Sequence, residues 1–179
     1  GFIDAHNFLF TARGIPVIYY GSETGFMRGA AEHAGNRNYY GQARVDAGKD
    51  HPIQQAMRRI ARVRAATPAL QRGLQVNIEM AGDRASFYRV LQHDGVSQIA
   101  LVLLNKGDAP AEFAVRDLLQ PGRWRNALDG TQVRVKAGGA LRATVPAHGV
   151  QVFVLDAPVR DAALRAALDR AAKGAKPRG

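Results

Sequence analysis

The hydrophobic period of this chain changes near Gly73, and no single uniform architecture accommodates both periods. Before it, apolar residues recur at helical spacing: Phe2, Ala5, Leu9 and Ala12, then Ile53, Met57, Ile60 and Val63. The first set predicts a helix over Gly1–Arg13, ended by Gly14. The second follows Asp50-His51-Pro52, a helix start with proline in its first turn, and stops at Thr67-Pro68. Between them Ile15–Tyr20 is wholly apolar, as a buried parallel strand covered on both faces would be. Gly21–Asp50 is rich in Gly, Asn, Arg and Tyr. A loop of that length in a compact domain is usually functional. Helix, strand, long loop and helix make one step of a parallel α/β fold.

From Leu74 the period is two. Leu74–Met80 alternates strictly. Further strands are expected at Ala85–Leu91, Val96–Asn105, Ala111–Leu118, Arg123–Leu128, Thr131–Lys136, Leu141–Val145 and Val150–Leu155. Turn pairs such as Gly82-Asp83, Asp94-Gly95 and Asp129-Gly130 separate them. Short strands at this spacing predict an antiparallel β-sandwich. The chain therefore divides into 1–73, an α/β piece; 74–157, the sandwich; and 158–179, a basic Ala-rich tail able to form a marginal helix around Leu164 and Leu168.

Composition excludes more than it identifies. The 179 residues carry a net charge of +10, with 25 Lys+Arg against 15 Asp+Glu. The basic residues are spread along the chain, often beside acids, so no nucleic-acid partner is expected. With no cysteine, a disulfide scaffold and a thiolate metal site are excluded. The longest near-uninterrupted apolar run, Ile99–Leu104, is far too short for a membrane span. The first residues read as mid-helix, so a cut or processed chain is expected. No signal peptide is visible, and localisation is left open.

Several motifs occur in a fixed order: Phe8-Leu9-Phe10-Thr11-Ala12-Arg13-Gly14-Ile15-Pro16, Tyr19-Tyr20-Gly21, Asn36-Arg37 and Arg64-Ala65-Ala66-Thr67-Pro68-Ala69-Leu70, then eight strands. In this order they resemble the carboxy-terminal portion of the α-amylase family of glycoside hydrolases, including cyclomaltodextrin glucanotransferases. The resemblance covers about Gly1 to Ala157. It implies the last βα unit of a (β/α)8 TIM barrel (helix 7, strand 8, loop 8 and helix 8) followed by the antiparallel β-sandwich called domain C. The implied activity of the intact enzyme is retaining hydrolysis or transglycosylation of α-1,4-glucans such as starch and maltodextrin. The implied partners are that α-glucan and the missing amino-terminal portion of the barrel. Family members are often extracellular or periplasmic. The family's Ca2+ sites would lie upstream, so no cofactor and no metal is expected in this chain.

Retaining glycosidases need two carboxylates, a nucleophile and an acid/base, about 5 Å apart. By the resemblance both lie on earlier strands, so no catalytic residue is expected here and the chain alone is expected to be inactive. Phe2-Ile3-Asp4-Ala5-His6-Asn7 looks like the family motif that carries a third acid. Ala5 and Asn7 break the pattern, and it stands too close to Gly14-Ile15-Pro16; a helix start with exposed Asp4 and His6 is the better reading. Barrel active sites form at the carboxyl ends of the strands, which puts the loop after Tyr20 at the substrate end. The candidate substrate-binding residues are Arg37 and Asn36, with Glu32, His33 and Tyr39. Arg37 matches the family arginine that hydrogen-bonds a donor-side glucose; its alternative role is a loop-anchoring ion pair. His33 stands where the family often has Asp, and Glu32 is the available substitute. Tyr39 and Tyr40 suit either sugar stacking or packing. Tyr19 and Tyr20 are expected in the barrel core, Glu23 in loop hydrogen bonds, and Trp124 in the sandwich core. The alternative function is a non-catalytic β-sandwich module that binds polysaccharide or a partner protein, which would need an exposed aromatic platform.

Overall fold

The computed structural model describes residues 1–26 and 41–174. Helix α1 spans Phe2–Thr11 and is followed by a 3-10 turn at Ser22–Thr24. Helices α2 (Gln42–Gly48), α3 (Pro52–Ala65) and α4 (Pro68–Arg72) come next. Eight strands follow: β1 (Leu74–Ala81), β2 (Arg84–His93), β3 (Val96–Asn105), β4 (Ala111–Val115), β5 (Gly122–Asn126), β6 (Gln132–Val135), β7 (Leu141–Val145) and β8 (Gly149–Leu155). Helix α5 spans Ala162–Gly174. All eight expected strands are present, and β3 and β7 have the bounds the alternation predicts.

Six strands form one sheet in the order β1-β2-β3-β8-β5-β6, and β4 pairs with β7 in a second. Every pairing is antiparallel. The long β2–β3 hairpin runs in register from Arg84↔Asn105 to His93↔Val96. Its two-residue turn, Asp94-Gly95, has φ of 50° and 76°. Positive φ at both positions matches the twist of the flanking strands, which is why Asp-Gly is found there.

The central strands of the large sheet, β2, β3 and β8, are covered on both faces. On one, Tyr88, Leu101, Leu103, Trp124 and Phe153 pack against β4, β7 and Leu164 of α5. On the other, Phe87, Ala100, Val102, Leu104 and Val152 meet Ile60 and Val63 of α3 and Ala69 and Leu70 of α4. Successive residues of a strand point to opposite faces, so a strand buried twice reads as a continuous apolar run. This explains Ile99–Leu104 without a membrane. Among the described residues no helix is long and apolar enough to cross one.

Two buried arginines tie the helical layer together and fasten it to the sheet. Arg64 of α3 donates to the carbonyls of Phe10 (3.0 Å), Ala12 (3.3 Å) and Gly14 (2.6 Å). Arg89 of β2 donates to Thr11 O (2.7 Å) and twice to Gly73 O (3.3 and 3.0 Å). These carbonyls include the last ones of α1, which lack partners within the helix and carry its partial negative charge. Burial, with Arg64 and Arg13 nearby, pushes the Arg89 guanidinium down to about 10. Gly73, at the change of period, is also a close approach. A Cβ there would meet Ala69 O and lie 2.9 Å from the Val90 backbone.

One expectation changes. Ile15–Tyr20 is not in a strand: among the described residues no segment pairs with it, and a strand is defined by its ladder. The helix expected around Leu164 and Leu168 forms as α5, with Leu164 and Ala167 buried.

Candidate functional site

The site indicated by the sequence begins where α1 ends. After Gly14 the chain runs through Ile15–Tyr19 outside any helix or strand, then turns at Tyr20 and Gly21. Gly21 has φ 81°, and a Cβ on it would lie 2.8 Å from the Cβ of Phe26. Only glycine fits without displacing Phe26. The turn closes through Ser22 N to Tyr19 O (3.1 Å) and Phe26 N to Gly21 O (2.8 Å). Tyr19 and Tyr20 meet edge to face with centroids 5.3 Å apart, and Tyr20 lies 6.3 Å from the Phe26 ring. Across the loop the Arg44 guanidinium of α2 sits 5.0 Å over the Phe26 ring. This cation–π contact joins the two ends of the intervening segment.

The base of this loop rests on α1 and α3. Gly25 (φ 61°) brings its backbone against Ile53 and Phe2. His6 is buried on α1, and its Nδ1 has no hydrogen-bond partner among the described residues. Burial holds its pKa below the ordinary 6.5, and the charge of Glu23 opposes that shift. The expected exposure of His6 is therefore incorrect: its ring faces the interior while Phe2 packs on it at 6.5 Å. Asp4 is only 15% exposed at its side chain and meets His148 Nδ1 at 3.1 Å. His148 Nε2 in turn lies 2.9 Å from Asp108. Asp4 thus joins α1 to the β7–β8 turn and is not positioned as a free acid.

The candidate residues Arg37, Asn36, Glu32, His33 and Tyr39, and Tyr40 beside them, all lie outside the described residues. The structure describes their two anchors, Gly21–Phe26 and Gly41–Gly48, which sequence reading left as undifferentiated loop. Tyr19 and Tyr20, expected in a core, are 53% and 42% exposed, packed on each other at the surface. Trp124 is fully buried and donates to Gln120 O at 3.0 Å, as expected of a core residue. His51 accepts from Ile53 N at the start of α3, and His93 pairs with Asp94. Among the described residues no group of three His, Cys, Asp or Glu side chains is placed to hold a metal.

A cleft of ≈ 380 Å³ opens elsewhere, between Ala5 and Phe8 of α1 and the β1–β2 turn around Met80. None of its lining comes from residues 15–26 or 41–48. It is separate from the loop the sequence points to.

No family model matches the chain. It is 29% identical to an α-amylase of Streptomyces lividans, over 89% of this chain and 19% of that protein. An Anoxybacillus α-amylase structure superposes with a TM-score of 0.69 at 23% identity, covering 88% of this chain and 32% of that one. A cyclomaltodextrin glucanotransferase with a three-domain ABC distribution gives 0.61 at 24%, covering 87% and 32%. The chain is thus similar in sequence to an α-amylase and in fold to α-amylase-family glycoside hydrolases, and it spans a third or less of each of these relatives.

Proposed function

We propose that this chain is the carboxy-terminal portion of a retaining α-1,4-glucan-active hydrolase or transglycosylase. In this reading residues 1–73 supply the last βα unit of the catalytic barrel and residues 74–157 form domain C. The observation that carries it is the run Ile15–Tyr20. From Ile15 to Ile18 it lies in no strand among the described residues, with Ile15 87% and Val17 79% exposed, directly before the two tyrosines. An exposed apolar run outside any ladder is suited to a parallel sheet flanked by further strands. The likeness to α-amylases that are much longer supports the same completion.

The chemistry then divides between this chain and the strands beside it. The nucleophile and acid/base would come from those strands. This chain would supply the loop between Gly21 and Gly48, with Arg37 and Asn36 directed at the hydroxyls of a donor-side glucose. A planar guanidinium offers several fixed donors to such hydroxyls. The sandwich module reading is less well supported. Phe87, Tyr88, Phe113, Trp124 and Phe153 are all buried, so the sandwich strands expose no aromatic platform.

The test is a chimera in which this chain replaces the matching third of the Anoxybacillus α-amylase. Hydrolysis of maltoheptaose with retained anomeric configuration, followed by proton NMR, is the expected result. A soluble, folded chimera without turnover would contradict the proposal.

A further inference from the structure

The outward face of the β5–β6 hairpin concentrates positive charge that the fold does not neutralise. Arg123 and Arg134 are direct cross-strand partners. Their neighbours Trp124 and Val135 are buried on the other face, so both arginines stand on the exposed one with Arg125. Lys136 follows β6 and lines one open hollow with Arg123 and Arg134. All four side chains are exposed. None takes part in an ion pair among the described residues. The carboxylate of the hairpin's own turn, Asp129, accepts from Thr131.

Like charges directly opposite each other destabilise a sheet. β6 is an edge strand, and edges are commonly protected by charge. Protection requires charge but not two arginines facing one another, since a single lysine or an opposite-sign pair would serve. The arrangement therefore fits a ligand that neutralises it.

We propose that this face binds phosphate monoesters carried on an α-glucan. The glucan rests on the function proposed above, and the phosphate rests on the hairpin itself. Cross-strand side chains start about 5 Å apart, a span that one tetrahedral dianion bridges. Two guanidinium forks can each donate in pairs to its oxygens, and Lys136 adds a point charge. A neutral sugar would call for an exposed ring, and Trp124 is buried. Single-stranded nucleic acid would call for stacking platforms, which this face also lacks. The chain's own net charge of +10 argues against a second copy as the occupant.

Affinity electrophoresis at fixed ionic strength tests this with the chain itself. The gels contain phosphorylated amylopectin, or the same polymer after phosphatase treatment. Retardation is expected in the first and not in the second. The double variant Arg123→Gln/Arg134→Gln should bind at least about tenfold more weakly, because it loses charge-assisted contacts. Its melting temperature should equal or exceed that of the parent, since the repulsion is gone; a merely structural role would lower it. Equal retardation in both gels overturns the proposal, as does a double variant that binds undiminished. Equal competition by polyglutamate or duplex DNA also overturns it, reassigning the face to general polyanion attraction. The phosphatase comparison needs no turnover, so its failure is distinct from failure of the chimera.

Discussion

Buried polar side chains do much to fix the helical layer. Arg89 is fully buried and makes its three hydrogen bonds to backbone carbonyls. Replacing it with Met keeps the bulk but orphans Thr11 O and Gly73 O. Each buried acceptor left unpaired costs about 1–3 kcal/mol, so Arg89→Met should lower unfolding free energy by about 2–6 kcal/mol in urea titrations. His6 gives a pH dependence of defined sign. Its pKa in the fold is below 6.5, so the unfolded state binds more protons once pH falls below that value. Stability should therefore decline as pH drops from about 6.5 toward the lower folded pKa. His6→Leu should remove that part of the slope; urea titrations at pH 7.5 and pH 5 would show it. An unchanged difference between the two pH values would assign the slope to other groups.

At the scale of elements, α5 shows how burial steadies a helix that composition alone leaves marginal. A short Ala-rich helix is marginal alone, because nucleation is costly and propagation adds little. Here Leu164 is fully buried in the sandwich core, and Leu168 packs beside it. Leu164→Ala should cost about 2–5 kcal/mol by lost burial and the cavity left behind, read as a lower thermal midpoint. The strands were legible because each has one face on a core, and burial on one face writes a period of two into the sequence. The β2–β3 turn was legible because Asp-Gly supplies the required positive φ. Ile15–Tyr20 was legible as apolar but not as lying outside a sheet, since a ladder depends on a neighbour that local pattern does not contain. His6 was misread for a related reason: a histidine on a short helix carries no signal of which face will be covered. The candidate loop was found by motif order alone. Its two anchors, the Phe26–Arg44 contact and the close approach at Gly21, were missed, because a cation–π pair eighteen residues apart has no periodic signature.

For the whole molecule, the proposed division of labour makes a prediction in two states. In the isolated chain the sandwich and its helical layer should hold together, since β2, β3 and β8 are buried on both faces, Arg89 binds α1 to the sheet and Arg64 binds α1 to α3. Ile15–Ile18 should not be held: it lies in no strand among the described residues, and Ile15 and Val17 stand largely in water. Hydrogen exchange should find slow amides in β2, β3 and β8 and unprotected ones at Ile15, Val17 and Ile18. The isolated chain should not hydrolyse starch or a chromogenic maltoside at any pH, because a covalent route needs both a nucleophile and a proton donor at the scissile bond. Turnover by the purified chain that disappears in Glu23→Gln would overturn this assignment. In the chimera with the α-amylase barrel, the same amides should become protected and activity should appear. Arg37→Ala there should reduce kcat/KM by about ten- to a hundredfold, the loss of one or two charge-assisted hydrogen bonds, without abolishing turnover. Protection without activity would mean that the barrel closes but the loop does not form the donor subsite; activity without an effect of Arg37→Ala would leave that residue as a loop anchor.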